Sequence, residues 1–158
     1  MPPVWLLASI AAAVALTGAI GYARRRLLVV SVDGQSMEPT LYEGDRLLVR
    51  RRGLRHLRRG DLVILRPPRH PREVGSGHWR EAGGGTHVKR VAALPGHPMP
   101  SGVAHPSPVV PAESVVVLSD NAARGVDSRH WGPYPADGLV GVVVRRMTTT
   151  ATGRRRTG

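Results

Sequence analysis

The stretch LLVVSVDGQSMEPTLYEGDRLLVRR, residues 27 to 51, decides the fold. Its two ends, 27–33 and 45–51, are short runs rich in β-branched and aliphatic residues, the composition of extended chain on a pleated, half-buried surface. Between them Gly34 permits a tight backbone, and Pro39, which has no N–H to give to a ladder, stops the first strand from continuing. The local plan is strand, turn, strand. It repeats along the chain: GDLVILR (60–66), HVKRVAAL (87–94), ESVVVLSD (113–120) and GLVGVVVRR (138–146) read as further strands, bounded by turn residues in YEGD, RRGD, LPGHP and PADG. Six short strands with no soluble helix between them predict a mainly β domain of antiparallel sheets over residues 27–147. Two segments, 67–85 and 96–111, carry Pro and Gly without a period and are expected to be loops that bury little surface. The end, 148–158, is expected to be a disordered basic tail able to touch lipid.

Composition bounds the function. A chain of 158 residues with 19 Gly, 14 Pro and no Phe makes one compact domain plus appendages, with a modest core of Val, Leu and Ala. The absence of Cys excludes a disulfide framework, a thiolate metal site and a thiol nucleophile. Seven His, at 56, 70, 78, 87, 97, 105 and 130, form no H-E-x-x-H pattern or close helical pair, so no metal or cofactor is expected. The net charge of +12 asks for an anionic neighbour. No aromatic-plus-basic surface pattern accompanies that charge, which favours lipid headgroups or an acidic protein over nucleic acid.

Residues 4–22, VWLLASIAAAVALTGAIGY, run for 19 positions without a charge. As a helix they would extend about 28 Å, close to the hydrocarbon thickness, so residues 1–26 are expected to form a transmembrane anchor with a basic flank. A cleavable signal peptide would carry a basic n-region that MPP lacks. A core helix apolar on all sides could hardly be surrounded by so small a domain. Arg24, Arg25 and Arg26 would by the positive-inside tendency hold the following domain in the cytoplasm.

Of the 23 basic residues, 22 are Arg and one is Lys, Lys89, inside the apolar run HVKRVAAL. Arg stays protonated, whereas a desolvated Lys gives up its proton near neutral pH and serves as a base. A partner is available in VDGQSMEPTLYEGD (32–45), where a strand-to-turn junction presents the Ser36 hydroxyl beside backbone N–H groups of the kind an acyl-transfer oxyanion requires. The same segment reads equally as a plain turn in which Ser36 bonds its own backbone.

VDGQSMEPT closely resembles the serine box of the type I signal peptidases, RRGDLVILR their next segment, HVKRVAALPG their lysine box, and VVVLSDNAARGVDSRHWG their closing segment of the form GDN…S-x-D-S-R-x-W-G. Four boxes in order over Val32 to Gly141 make the resemblance specific, and it is to a small member of the actinobacterial type. It implies a Ser/Lys dyad, with Ser36 as nucleophile and Lys89 as general base. Lowering a Lys from about 10.4 to about 7.4 would take roughly 4 kcal/mol of differential solvation, for which Val88, Val91, Ala92 and Ala93 are candidate surroundings. The Ser36 N–H would face the oxyanion. Gly34 stands where Gram-negative relatives add a Ser hydroxyl, which leaves the second donor open. Met37 would pack beneath the dyad, Asp127 and Arg129 would form an ion pair, and Asp120, Asn121 and Ser128 would be structural. The resemblance further implies precursor proteins and the lipid bilayer as partners. It also implies small residues such as Ala before the scissile bond, and an extracytoplasmic domain, against the charge rule.

Two positions depart from the pattern: Ser119 replaces the Gly of GDN, and Gly125 replaces the Ser whose hydroxyl helps orient the lysine. Lys89 would then be held by carbonyls, water or Ser128. The segment between the lysine and closing boxes is short, so the accessory β domain of larger relatives is expected to be missing. Rival motifs fail on single residues, since S-x-x-K needs Lys where Pro39 stands and G-x-S-x-G needs Gly where Glu38 stands. The self-cleaving repressors share the dyad but have no anchor. His87, two positions before Lys89, shares its strand face and is a candidate modulator. A different class of function is a catalytically inactive basic membrane module that binds anionic lipid or a protein partner, which the arginine clusters and Gly125 allow.

Overall fold

The computed structural model describes residues 3–68 and 85–147. Seven strands, β1 (Leu27–Ser31), β2 (Arg46–Arg50), β3 (Leu62–Leu65), β4 (His87–Ala93), β5 (Ser114–Leu118), β6 (Tyr134–Pro135) and β7 (Leu139–Met147), form one sheet in the order β1-β2-β7-β3-β4-β5-β6. Every neighbouring pair is antiparallel. The six expected strands all appear, and the plural sheets become one. The added strand, β6, is two residues long, too short for any alternation to reveal.

Side-chain alternation explains the burial. Within β3, Val63 and Leu65 pack with Val91, Val117 and Tyr134, while Ile64 joins Val49, Met37 and Leu47. Residues 63 to 65 are fully buried because β3 is covered on both faces, which is why LVIL reads as a continuous apolar run. Three strands lie between β1 and β4 in the order, yet both line one groove, so the sheet is strongly curled.

The 96–111 segment corrects an expectation. Val103 and Val110 are buried with Ala93 and Val116 in a core cluster of their own. The segment can do this because it folds back on itself: Pro98 bridges Val109, and N–H groups of Gly96, Met99 and Val110 donate to Val110, Pro108 and His97 carbonyls. Its backbone polar groups are thereby satisfied without a long strand. The 67–85 loop falls almost wholly outside the described residues, as does the 148–158 tail.

The N-terminal stretch is one helix, α1 (Val4–Arg26), continuous with β1. Here the transmembrane expectation is corrected: among the described residues no helix is long and apolar enough to cross a membrane. Ser9, Thr17, Gly18 and Gly21 dilute the apolar run, with the Ser9 and Thr17 hydroxyls donating back to the Trp5 and Ala13 carbonyls. What the segment does present is exposed apolar surface, with Trp5, Val14 and Leu16 each more than 60% accessible. Exposed apolar surface of this kind is common at interaction sites.

Candidate active site

The turn after β1 is closed by Val32 N–H donating to the Asp45 carbonyl (2.8 Å) and Gly44 N–H to the Val32 carbonyl (2.9 Å). Gly34 takes φ +88°, a left-handed conformation that costs other residues a steric clash. Met37 and Leu41 drive the turn down into the Ile64 cluster and are almost fully buried. Met37 is thus an anchor beneath its neighbour Ser36. A second anchor comes from the far end of β5. Asn121 N–H donates to the Ser36 carbonyl at 3.0 Å. Asp120 accepts from the Thr40 hydroxyl at 2.6 Å and from two guanidinium nitrogens of Arg90 at 2.8 and 2.6 Å.

Lys89 sits in β4 opposite Val63. Its Nζ donates to Ser36 Oγ at 2.9 Å, although 53 residues separate the two, and the side chain is only 3% exposed. Burial is the largest influence on the amine and lowers its pKa from 10.5 to about 8; the Asp127 charge opposes this, Arg129 assists it and Asp120 opposes it. The expected apolar neighbours Val88, Val91, Ala92 and Ala93 each belong to or pack against a core cluster around this strand. His87 accompanies Lys89, its Nδ1 lying 3.1 Å from the Tyr134 hydroxyl. Burial first, then repulsion from Lys89, lowers the His87 pKa to about 4, so this imidazole is neutral at physiological pH and does not add charge beside the amine.

The third component is a short helix, α2 (Ser128–Trp131), capped by Asp127. The Asp127 carboxylate is fully buried and accepts from Ser119 N–H (2.8 Å), Arg129 N–H (3.1 Å), Arg129 Nε (3.0 Å) and Arg129 Nη2 (2.6 Å). Burial works against its charge, and these bonds outweigh it, bringing its pKa to about 2. The Ser128 hydroxyl accepts from Val117 N–H at 2.9 Å, which gives it work in joining α2 to β5. No hydrogen bond joins Ser128 to Lys89 among the described residues.

A groove of about 270 Å³ runs past these groups, bounded by Val30 and Val32 of the β1 side, residues 86–89, and Arg124 and Val126. Ser36 and Gly34 line it, and the Ser36 N–H has no acceptor among the described residues. No cluster of three or more His, Asp or Glu able to hold a metal occurs among the described residues. The residues missed in the sequence are Arg90 and Thr40, which clamp the serine turn to β4 through Asp120. Their only signal was position, one step from Lys89 and four from Ser36.

The family described as "Signal peptidase, peptidase S26" matches residues 4–100 and 98–148. This chain belongs to the signal peptidase family. It is similar to the Mus musculus protein named mitochondrial inner membrane protease subunit 1, 32% identical over 68% of this chain and 61% of the relative. It also resembles signal peptidase I of Leptolyngbya laminosa (29% identical; 73% of this chain, 66% of the relative). A third relative is mitochondrial ATP-independent inner membrane protease subunit 1b of Arabidopsis thaliana (32%; 72% and 66%). The chain therefore spans just under two thirds of the length of these relatives.

Within this signal peptidase family member, the two departures from the family pattern occupy one space. Gly125 is extended (φ −115°, ψ 132°), so its backbone does not require glycine. A Cβ there would overlap the Cβ and Oγ of Ser119 and stand 3.0 Å from the Asn121 carbonyl oxygen. The Ser119 side chain thus fills the volume that a side chain at 125 would enter. Ser119 is 7% exposed, and its Oγ has no hydrogen-bond partner among the described residues.

Proposed function

We propose that this chain is a serine endopeptidase that removes signal or leader peptides from exported precursors, with Ser36 as nucleophile and Lys89 as general base. The observation that carries the reading is a buried amine, its pKa lowered to about 8, at 2.9 Å from a hydroxyl in an open groove. An exposed surface Lys would stay protonated and have no such role. At pH 7 about a tenth of the molecules carry the neutral amine, enough for a general base.

In the reaction the neutral Lys89 amine takes the Ser36 hydroxyl proton as Oγ bonds to the scissile carbonyl carbon. The oxygen, now negative, accepts from the Ser36 N–H, with the Gly34 segment as the source of a second donor. The Lys89 ammonium gives its proton to the leaving amine as the C–N bond breaks. The same amine then takes a proton from the water that attacks the Ser36 ester and returns it to Oγ. Arg90, Asp120 and Thr40 are positioning residues for the turn, and Asp127 with Arg129 tunes the amine.

The substrate lies extended beside β1, an edge strand, where Val30 and Val32 offer shallow apolar walls suited to Ala at the first and third positions before the cleaved bond. Two of the relatives are named as inner membrane proteases. With the exposed apolar face of α1, this supports a membrane-attached peptidase; that its catalytic domain faces away from the cytoplasm follows from the family resemblance, against the arginine flank. The test is cleavage of precursors bearing small residues before the cleavage site by purified wild type, Ser36→Ala, Lys89→Ala and Lys89→Arg, with C-terminal fusion reporters for sidedness. Equal activity in all four refutes the dyad. Uniform inertness together with lipid binding would install the inactive membrane module in its place.

A further inference from the structure

A second cavity, about 660 Å³, opens where α1 runs into β1, at the opposite end of that strand from the serine turn. Topology collects arginines there. β2 and β3 both run antiparallel to β7 and flank it, so Arg50 at the end of β2 and Arg66 just after β3 bracket the first residues of β7. The Arg26 carbonyl accepts from Arg51 N–H at 2.8 Å, tying α1 to the same corner, and Arg52 follows. Gly141 makes the convergence possible, since a Cβ there would stand 2.5 Å from the Arg50 carbonyl oxygen.

Five arginines and no acidic residue line the cavity. Among the described residues none of the five is in an ion pair. Like charges gathered in one concavity repel, so the arrangement is unfavourable unless an anion occupies it. Planar guanidinium forks match phosphate oxygens two at a time. Tyr22 completes the rim with Arg26 over its ring at 5.3 Å, and α1, on which Val14, Leu16 and Ile20 are exposed, ends at this rim.

We propose that this cavity binds the phosphate of an anionic glycerophospholipid headgroup, with the acyl chains lying along α1. The arginines supply the phosphate chemistry, and the apolar helix at the rim supplies the reason that the phosphate belongs to a lipid. The proposal rests on the membrane-attached reading of α1 and is independent of the Ser36–Lys89 reading.

The experiment is calorimetric titration of the full chain in neutral maltoside micelles with dihexanoyl phosphatidylglycerol, dihexanoyl phosphatidylcholine and inorganic phosphate. Phosphatidylglycerol is expected to bind at least about tenfold more tightly than either of the others, the scale of a few charge-assisted hydrogen bonds. Arg50→Gln with Arg66→Gln is expected to weaken it by about tenfold or more, and the paired Lys substitutions by less, because charge remains while the fork is lost. The charge-matched pair Arg59→Gln with Arg145→Gln is expected to change it less than about twofold. Equal loss in that pair, or phosphatidylcholine binding as tightly, overturns the site. Inorganic phosphate binding as tightly as the lipid overturns the lipid assignment. Precursor cleavage in the same micelles is expected to be unchanged by the Arg50/Arg66 substitutions, so a failed dyad and a failed headgroup site give different results.

Discussion

Gly125→Ser restores the residue of the family pattern and is expected to damage this protein. The new Cβ would overlap both Cβ and Oγ of Ser119. Neither side can yield easily: Ser119 is buried and its N–H is fixed to Asp127 at 2.8 Å. Overlap with a Cβ, which moves only with its backbone, belongs at the costly end of overpacking, about 3 kcal/mol. For a domain of this size that lowers the unfolding midpoint by about 10 °C. Ser119→Gly alone empties the space and removes an unpartnered hydroxyl, costing about 1 kcal/mol through backbone freedom. The double variant should lie within about 1 kcal/mol of wild type, a coupling of about 3 kcal/mol between the two sites. It should also retain precursor cleavage, since one side chain again fills the shared space without overlap. Thermal unfolding of the four proteins in one detergent reads the cycle. Additive effects, or a double variant less stable than Gly125→Ser, would show that the two residues do not share the space.

Cleavage should rise with pH and level off above about 8, the pKa of the buried amine. Because the Asp127 charge raises that pKa and Arg129 lowers it, Asp127→Asn should move the limb to lower pH and Arg129→Gln to higher pH, measured as kcat/KM profiles. Stability carries the same group: the folded state holds Lys89 below its unfolded value of 10.5, binds fewer protons between about pH 8 and 10.5, and so gains stability across that window. Lys89→Met should therefore be more stable than wild type by up to about 3 kcal/mol below pH 8, with the gain fading toward pH 10.5, and inactive throughout. Asp127 also makes stability rise with pH, but its ionised form is a favourable contribution where the Lys89 charge is a cost. Its pKa falls from 3.8 to about 2 on folding, so it contributes about 2 kcal/mol above pH 3.8 that is lost as pH falls through 2, and acid unfolding of Asp127→Asn should lack that segment.

Much of the fold was legible because it is local. Val and Leu runs broken by Gly and Pro specify strands and turns wherever the chain lies, and all six expected strands are present within two residues of their predicted limits. Where burial depends on a distant partner, reading failed. Val103 and Val110 looked like loop residues because nothing nearby in the chain reveals the wall of Ala93 and Val116 against which they pack. The N-terminal run showed its lack of charge and its helicity, while its surroundings were not in the pattern.

The candidate site divides along the same line. One Lys among 22 Arg, and a Ser between Gly34 and Pro39, are properties of the chain as written, because proton affinity and backbone freedom belong to the residue type. The meeting of Lys89 with Ser36 across 53 residues, the loss of water that lowers the amine, the exchange of volume between Ser119 and Gly125, and the gathering of Arg50 with Arg66 arise only when the sheet curls and sets its register. Residue chemistry travels with the sequence, whereas solvation and contact depend on what non-local pairing brings alongside.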